Sequence, residues 1–490
     1  MNSESIQPEV FEFSLADLPS GIEGIFTRLQ SLPFPIFLDG CPDAIRIGNL
    51  NRYSFLAADP VDSLVVKQGD SLDVHAIRNL IARYPGTQIE GLPPFQGGVA
   101  GLLSYEFNAA IEKIQPAKID DFSIPLASLF VYDTVVAIDH DTQMGWIVSQ
   151  GWSPEKLDRA SFAKQRMKEF KDRIFSTSAP SIDREASQRI KPQSSMNRID
   201  GDLELYSDFS KDEYLHMIRD AVEYIHAGDI FQVNLSQRLL TPATCSSPQL
   251  YLQMRTSNPA PFSGYLDFGD GQLISASPER LIHCHNNDLE TRPIKGTRRR
   301  TNYPEVDLNV QTELIACEKD RAENIMIVDL MRNDLSKFSE PNSVRVGKLC
   351  DVERYQNVLH LVSVVNSKLD QDSDIVDVIG SVFPGGSITG APKIRAMEIV
   401  SQLEPTTRGA YCGSLGYINC NGDADFNILI RSVTATGGWW HVPVGGGIVA
   451  DSIPEKEYEE TWTKAIGMLQ AIRSVGRQRF SKIKDSVAVQ

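Results

Sequence analysis

Lys295 stands in the stretch Glu290-Thr291-Arg292-Pro293-Ile294-Lys295-Gly296-Thr297-Arg298, with a proline two residues ahead of it and a glycine directly after. Proline fixes the backbone on the approach and glycine frees it on departure, a geometry suited to presenting one amine. In a closed, largely apolar site the charged form of lysine loses hydration, its pKa falls, and the neutral amine becomes a nucleophile or base near neutral pH. Alone, the stretch reads equally as a solvated loop, because lysine is rarely buried without a reason.

Two pairs of acids add a second chemistry. Asp320 and Glu323 fall in a helical run over 312–331, and Glu457 and Glu460 in a helix opened by Pro454 and continued through Trp462, Ile466 and Leu469. Residues three apart share a helix face, so each helix can aim two carboxylates at one point, and four convergent carboxylates would hold a hard cation such as Mg2+. A single pair of this kind is an ordinary solvated face; convergence requires the two helices to meet. Glu279, in Ser277-Pro278-Glu279-Arg280, follows the β-like run 273–276 and so stands at a strand end. Shielded from water it becomes a proton donor to a leaving hydroxyl; otherwise it is the ion-pair partner of a nearby arginine.

Anion binding has several candidates. Gly445-Gly446-Gly447, within 444–452, offers unhindered backbone N–H groups able to curl around an anion. Arg431, on an apolar strand expected over 427–433, needs a carboxylate to face, and Tyr417 can add a hydroxyl to the same anion. The loop Pro384-Gly385-Gly386-Ser387-Ile388-Thr389-Gly390-Ala391-Pro392-Lys393 leads into a helix over 393–403, and its amides and the Thr389 hydroxyl can hold an anionic or hydroxylated ligand. His360 reads as a hydrogen-bonded core histidine. No Gly-x-Cys-x-Gly nucleophile elbow occurs, and Cys412-Gly413 lacks the setting of a glutamine amidotransferase, so ammonia would have to come from elsewhere.

Positioning these groups falls to an α/β body. The 490 residues are 41% hydrophobic and 23% charged, ordinary for a globular protein. The net charge of −16 argues against nucleic acid or an anionic membrane as main partner. Seven scattered cysteines without a C-x-x-C pair fit a reducing, cytoplasmic compartment and make a zinc site unexpected. The acidic start shows no signal or transit peptide, and no run reaches the roughly 18 apolar residues of a membrane span. Residues 1–175 read as an N-terminal α/β region, with a helix over 25–32, strands over 35–38 and 53–56, glycine-spaced apolar sequence over 95–106, a β-rich run over 126–138 and a helix from 154 to 175. Residues 176–206, rich in Ser, Pro and charge, read as a linker. In the body over 207–475, Ser210 and Glu213 form an N-terminal box for a helix ended by Gly228, before a buried strand over 230–235. A tail covers 476–490.

Taken in order, Gly228-Asp229-Ile230-Phe231-Gln232-Val233-Asn234-Leu235-Ser236-Gln237-Arg238, Ala276 to Arg280, Arg321-Ala322-Glu323-Asn324 and the two glycine-rich loops resemble the chorismate-utilising enzymes. That family comprises anthranilate synthase component I, isochorismate and salicylate synthases, and aminodeoxychorismate synthase component I. The likeness is strong over about 207–473 and weaker through Arg52-Tyr53-Ser54-Phe55 and Gly97 to Tyr105. It implies two stacked, mostly antiparallel sheets flanked by helices. It implies Mg2+ held directly by Glu323 and Glu460 and through water by Asp320 and Glu457, with the ring carboxylate of chorismate on the metal. Arg431, Tyr417 and the Gly446 amide would receive the enolpyruvyl carboxylate, with Gly445, Gly447, Thr389, His360 and Gln232 completing the substrate pocket. Glu279 matches the family's general acid.

Two positions choose among members. Water-using relatives carry a lysine where this chain has Gln232, and most relatives read Pro-Ile-Ala-Gly where it has Pro-Ile-Lys-Gly. Lys295 is the mark of the aminodeoxychorismate-forming group, whose lysine attacks C2 of the ring, whose ammonia comes from a separate glutamine amidotransferase, and whose product leads to 4-aminobenzoate. Arg299 and Thr301 replace a proline and a glycine common in the family, Asp320 replaces a glutamate, and Phe37-Leu38-Asp39-Gly40 stands where tryptophan-sensitive relatives read Leu-Leu-Glu-Ser, so tryptophan inhibition is not expected.

Overall fold

Strands in this protein change sheets in mid-run, and that habit builds the architecture. The computed structural model describes residues 7–42, 44, 48–70, 73–153, 158–178, 189–200, 203–301, 303–356 and 358–487, with side chains described as far as 476. Two sheets, of 13 and 10 strands, pair antiparallel throughout their named strands. The expected single β run over 126–138 is two strands. Ala127–Tyr132 belongs to the smaller sheet and Thr134–Asp139 to the larger, with Asp133 between them. Likewise Gln272–Ser277 lies in the larger sheet and Arg280–His285 in the smaller, while Ala424–Asn427 lies in the smaller and Ser432–Thr436 in the larger.

Alternation of side chains explains why these runs are apolar on both faces. Val135 and Ala137 join a core cluster drawn from both sheets, whereas Val136 and Ile138 join the cluster beneath the helices. Phe55 and Ala57 against Leu56 repeat the pattern. Helices Gly21–Leu29, Arg159–Ile174 and Ser247–Ser257 cover the outer face of the larger sheet, and Ile375–Val382 and Lys393–Leu403 pack into a further cluster with smaller-sheet residues such as Ile282 and Phe426. Among the described residues no helix is long and apolar enough to cross a membrane.

Several expected elements hold. Ser210 and Glu213 cap helix Lys211–His226 reciprocally, and Gly228 follows it at φ +83°. Others shift for identifiable reasons. The helix expected over 312–331 is broken at Cys317, which is extended, into Pro304–Ala316 and Glu318–Ser336. Of the helix expected from 154, residues 154–157 lie outside the described residues and Asp158 caps Arg159–Ile174. Within 176–206 the strand Asn197–Asp200 pairs with Leu205–Ser207, and residues 179–188 lie outside the described residues. Each sheet draws strands from both sides of that segment: Ile36–Asp39 pairs with Phe262–Asp267, and Gly98–Leu103 with Ser414–Asn419.

Strand Gly98–Leu103 of the second seam also depends on glycine on its other side, where it pairs with Ala127–Tyr132. Gly101 has φ +155°, and a Cβ there would sit 2.0 Å from the Ser128 carbonyl oxygen. Gly101→Ala should therefore shift the urea unfolding midpoint down by the equivalent of about 2 kcal/mol or more, with the m-value unchanged.

Candidate active site

Lys295 owes its aim to a bulge. Strand Ile294–Arg299 pairs Ile294 with Val362 but Thr297 with His360, so one extra residue is inserted at Lys295-Gly296. Gly296 takes φ +80°, the left-handed conformation such bulges use to redirect a side chain. A Cβ on Gly296 would lie 3.0 Å from the Asp320 side chain, so the same glycine lets helix Glu318–Ser336 approach. The partly buried Lys295 donates from Nζ to the Ser387 carbonyl at 2.8 Å. Burial lowers its pKa, and Lys464 adds to this, while Glu323, Glu279 and Glu460 oppose it.

Glu279 lies between Gln272–Ser277 and Arg280–His285, where the chain leaves one sheet for the other. It is 2% exposed and its Oε1 accepts the Ile294 N–H at 3.1 Å. Burial raises its pKa, although Ser387, the Ile294 amide and Lys295 pull it back. Arg280 is paired instead with Asp425 and Glu290, both at 2.8 Å, so it does not neutralise Glu279. An acid and an amine thus share one closed space, each biased toward its uncharged form.

The helices carrying the four acids meet. Lys319 Nζ lies 4.0 Å from Glu323 Oε1 and 3.9 Å from Glu457 Oε1, and Lys464 Nζ lies 2.7 Å from Glu460. Burial raises the pKa of Glu323 and of Glu457, whereas for Glu460 burial is overridden by Lys464 and the pKa falls. Glu457 accepts the Ser452 hydroxyl at 2.8 Å, and Asp320 accepts Arg298 at 2.8 Å. Among the described residues no three metal-ligating side chains form a preassembled cage. The donor set is nonetheless all carboxylate oxygen, and ammonium groups stand among the acids, so the site favours a hard cation.

Three expectations about anion binding change. Gly445, Gly446 and Gly447 do not curl: they are extended in strand Trp439–Ile448, paired with Ser236, Leu235 and Asn234. Their lack of side chains serves close approach, since a Cβ on Gly446 would be 3.6 Å from carboxylate oxygens of Glu457 and Glu460, and one on Gly447 would be 2.6 Å from Gln232 Nε2 and 3.4 Å from Lys295 Nζ. Arg431 is not within a strand. It sits at φ +55° in the link between Ala424–Asn427 and Ser432–Thr436, donates to the Lys464 carbonyl at 2.7 Å and has its pKa lowered by burial.

The phenol that interacts with Arg431 is Tyr411 rather than Tyr417, and burial keeps its proton in place. Tyr417 stacks on Phe95 with centroids 4.5 Å apart and lines a separate cavity of about 1100 Å3, shared with Asp39, Tyr53 and Arg280. The signal was alternation: Leu415 and Tyr417 share a face, and both belong to the core between the sheets.

Gln232 is fully buried beside Lys295, and among the described residues neither its amide oxygen nor its amide nitrogen has a hydrogen-bond partner. The Thr389 hydroxyl donates to the Gly385 carbonyl at 3.0 Å and keeps its lone pairs. His360 Nδ1 is 2.8 Å from Thr297 Oγ1, and Tyr355 stands edge-on to its ring at 4.7 Å. Downstream of Lys295, Thr301, one of the two departures there, is tied together with Arg300 to Asp307.

The family described as chorismate binding enzyme matches residues 37–470. The anthranilate synthase component 1 of Thermus thermophilus is 37% identical over 96% of this chain and 98% of its own length. The aminodeoxychorismate synthase component 1 of Bacillus subtilis is 37% identical over 86% of this chain and 89% of its own. Among solved structures, anthranilate synthase component I from Streptococcus pneumoniae superposes with a TM-score of 0.72 at 30% identity, covering 85% of this chain and 92% of that one.

Burial, with Arg431 adding to it, pushes the His360 pKa from near 6.5 down to about 3. The unfolded chain therefore binds a proton there that the folded chain does not, and stability falls as pH drops through that window. Denaturant titrations of His360→Asn should show a shallower loss of stability between pH 6.5 and about 3, by nearly one proton.

Proposed function

The chain belongs to the family of chorismate-binding enzymes, and on that premise we propose that it makes 4-amino-4-deoxychorismate from chorismate and ammonia, as the aminodeoxychorismate synthase component of a pair. The observation that carries this reading is Lys295, an amine with lowered pKa hydrogen-bonded inside the same closed space as a protonatable Glu279. A relative that only aromatises or hydrates the ring needs no amine at this point.

In the proposed reaction neutral Lys295 attacks ring carbon C2. Both ring double bonds shift, to C1=C6 and C4=C5, the C4–O bond breaks, and the proton on Glu279 leaves with the C4 hydroxyl as water. Ammonia then adds at C4, both double bonds return, the C2–N bond to Lys295 breaks to restore the amine, and the new C4 ammonium gives a proton back to Glu279. Two allylic displacements replace one difficult substitution. Glu279 suits the first step because burial raises its pKa toward the neutral acid that can donate a proton. Arg431, with Tyr411 at its side, would receive the enolpyruvyl carboxylate, and Gln232 would hydrogen-bond the ring region nearest Lys295. Glu323 and Glu460 would hold Mg2+ directly, with Asp320 and Glu457 behind them, and the ion when bound supplies a counter-charge for the ring carboxylate. Ammonia would come from a separate glutamine amidotransferase subunit, and the product would feed 4-aminobenzoate and folate synthesis.

Chorismate, Mg2+ and an ammonium salt, with products read by mass spectrometry, should yield 4-amino-4-deoxychorismate. Anthranilate with pyruvate as the sole product would instead establish the anthranilate synthase reading. Lys295→Ala should abolish the amino product, and Glu279→Gln should lower kcat by about 10²–10⁴-fold, the range a positioned general acid supplies.

A further inference from the structure

Buried charges left unused by the proposed chemistry concentrate behind the turn that holds Lys295. The Arg408 side chain is 2% exposed. Its guanidinium donates to both Glu404 oxygens at 2.8 and 2.7 Å, to the Asn234 carbonyl at 2.6 Å and to the Ile388 carbonyl at 3.3 Å. Glu404 Oε1 in turn accepts the N–H and the hydroxyl of Ser236 at 2.8 and 3.0 Å. On its other side Arg408 lies over the Tyr105 ring, 4.5 Å from the centroid. Its backbone N–H and that of Gly409 are bound by Glu106 at 2.7 and 3.0 Å.

One planar group therefore ties two pieces of chain that meet at the amine to a third from the N-terminal half. Strand Gln232–Pro242 carries Gln232, the turn Gly386–Ile388 carries Ser387, and segment Tyr105–Ala110 belongs to the N-terminal half. The Ser387 carbonyl accepts from Lys295 Nζ. A buried ion pair is by itself weak evidence for stability. What Arg408 adds beyond its pair is a rigid fork spanning the Asn234 and Ile388 carbonyls, which a lysine in its place could not span. We propose that Arg408 is the positioning residue for Lys295: by fixing the Ile388 and Asn234 carbonyls relative to each other it sets where the Ser387 carbonyl, and so the amine, stands, with Glu106 coupling the N-terminal half to that setting. This rests on the reading of Lys295 as the reacting amine.

The test uses the full chain with Arg408→Lys and, because a buried change of that kind can prevent folding, Glu106→Gln in parallel. Three quantities are read: kcat, KM for chorismate, and the pH midpoint for acylation of Lys295 by an amine-reactive ester, followed by peptide mass spectrometry. Arg408→Lys should lower kcat by about 10²-fold with KM for chorismate unchanged, as a misplacement near 1 Å would. The Lys295 midpoint should move upward toward that of ordinary lysine as the amine gains water. Glu106→Gln should move both in the same direction by less, and it decides alone if the arginine variant does not fold. An unchanged midpoint and unchanged kcat per folded molecule, even with a lowered Tm, overturn the proposal. Turnover retained in Lys295→Ala would instead remove the underlying reading, so the two failures are distinguishable.

Discussion

Two strand crossovers, hydrogen-bonded to each other, are the constraint from which the rest of the site follows. Where the chain passes from Gln272–Ser277 to Arg280–His285 it presents Glu279, and where it passes from Ala424–Asn427 to Ser432–Thr436 it presents Arg431. The Ile428 N–H donates to the Glu279 carbonyl at 2.9 Å, the Ser277 hydroxyl to the Ile428 carbonyl at 2.6 Å, and the Ala276 N–H to the Arg431 carbonyl at 3.2 Å. Backbone that leaves a sheet must find new partners, and here each crossover supplies the other's. Acid and guanidinium are thereby fixed to the backbone of both sheets rather than to mobile loops.

Desolvation sets the chemistry of the groups so placed. It pushes Lys295 toward the neutral amine and Glu279 toward the neutral acid, so neither is consumed in an ion pair with the other. The acids between helices Glu318–Ser336 and Pro454–Val487 respond differently, since Lys464 keeps Glu460 ionised while Glu323 and Glu457 are pushed up. Lys295 and Glu279 are thus biased toward their uncharged forms while Glu460 is held ionised, and the glycines of Trp439–Ile448 lie close to both sets of groups.

The N-terminal half takes part in this arrangement without lending an atom to the amine. Its strands complete both sheets, and Glu106 binds the backbone of the Arg408 turn. Asp39, which replaces a feedback element of some relatives, is spent on Arg255 at 2.7 Å and Tyr251 at 3.0 Å. Its carboxylate therefore acts as an internal tie between strand Ile36–Asp39 and helix Ser247–Ser257.

Sequence by itself determined the kinds of group and their local frames. The Pro293-Lys295-Gly296 spacing, the i,i+3 acid pairs, the Ser210 cap and the short apolar strand over 53–56 are properties of a few neighbouring residues, governed by backbone sterics and periodicity. Tertiary structure alone decided the rest. It cut 126–138 and 427–433 between two sheets, straightened the three glycines into a strand, put Tyr411 instead of Tyr417 beside Arg431, and set Lys319 between acids of different helices. These outcomes depend on which face of a strand turns toward which neighbour, and that is fixed by packing between residues far apart in the chain, which no local pattern encodes.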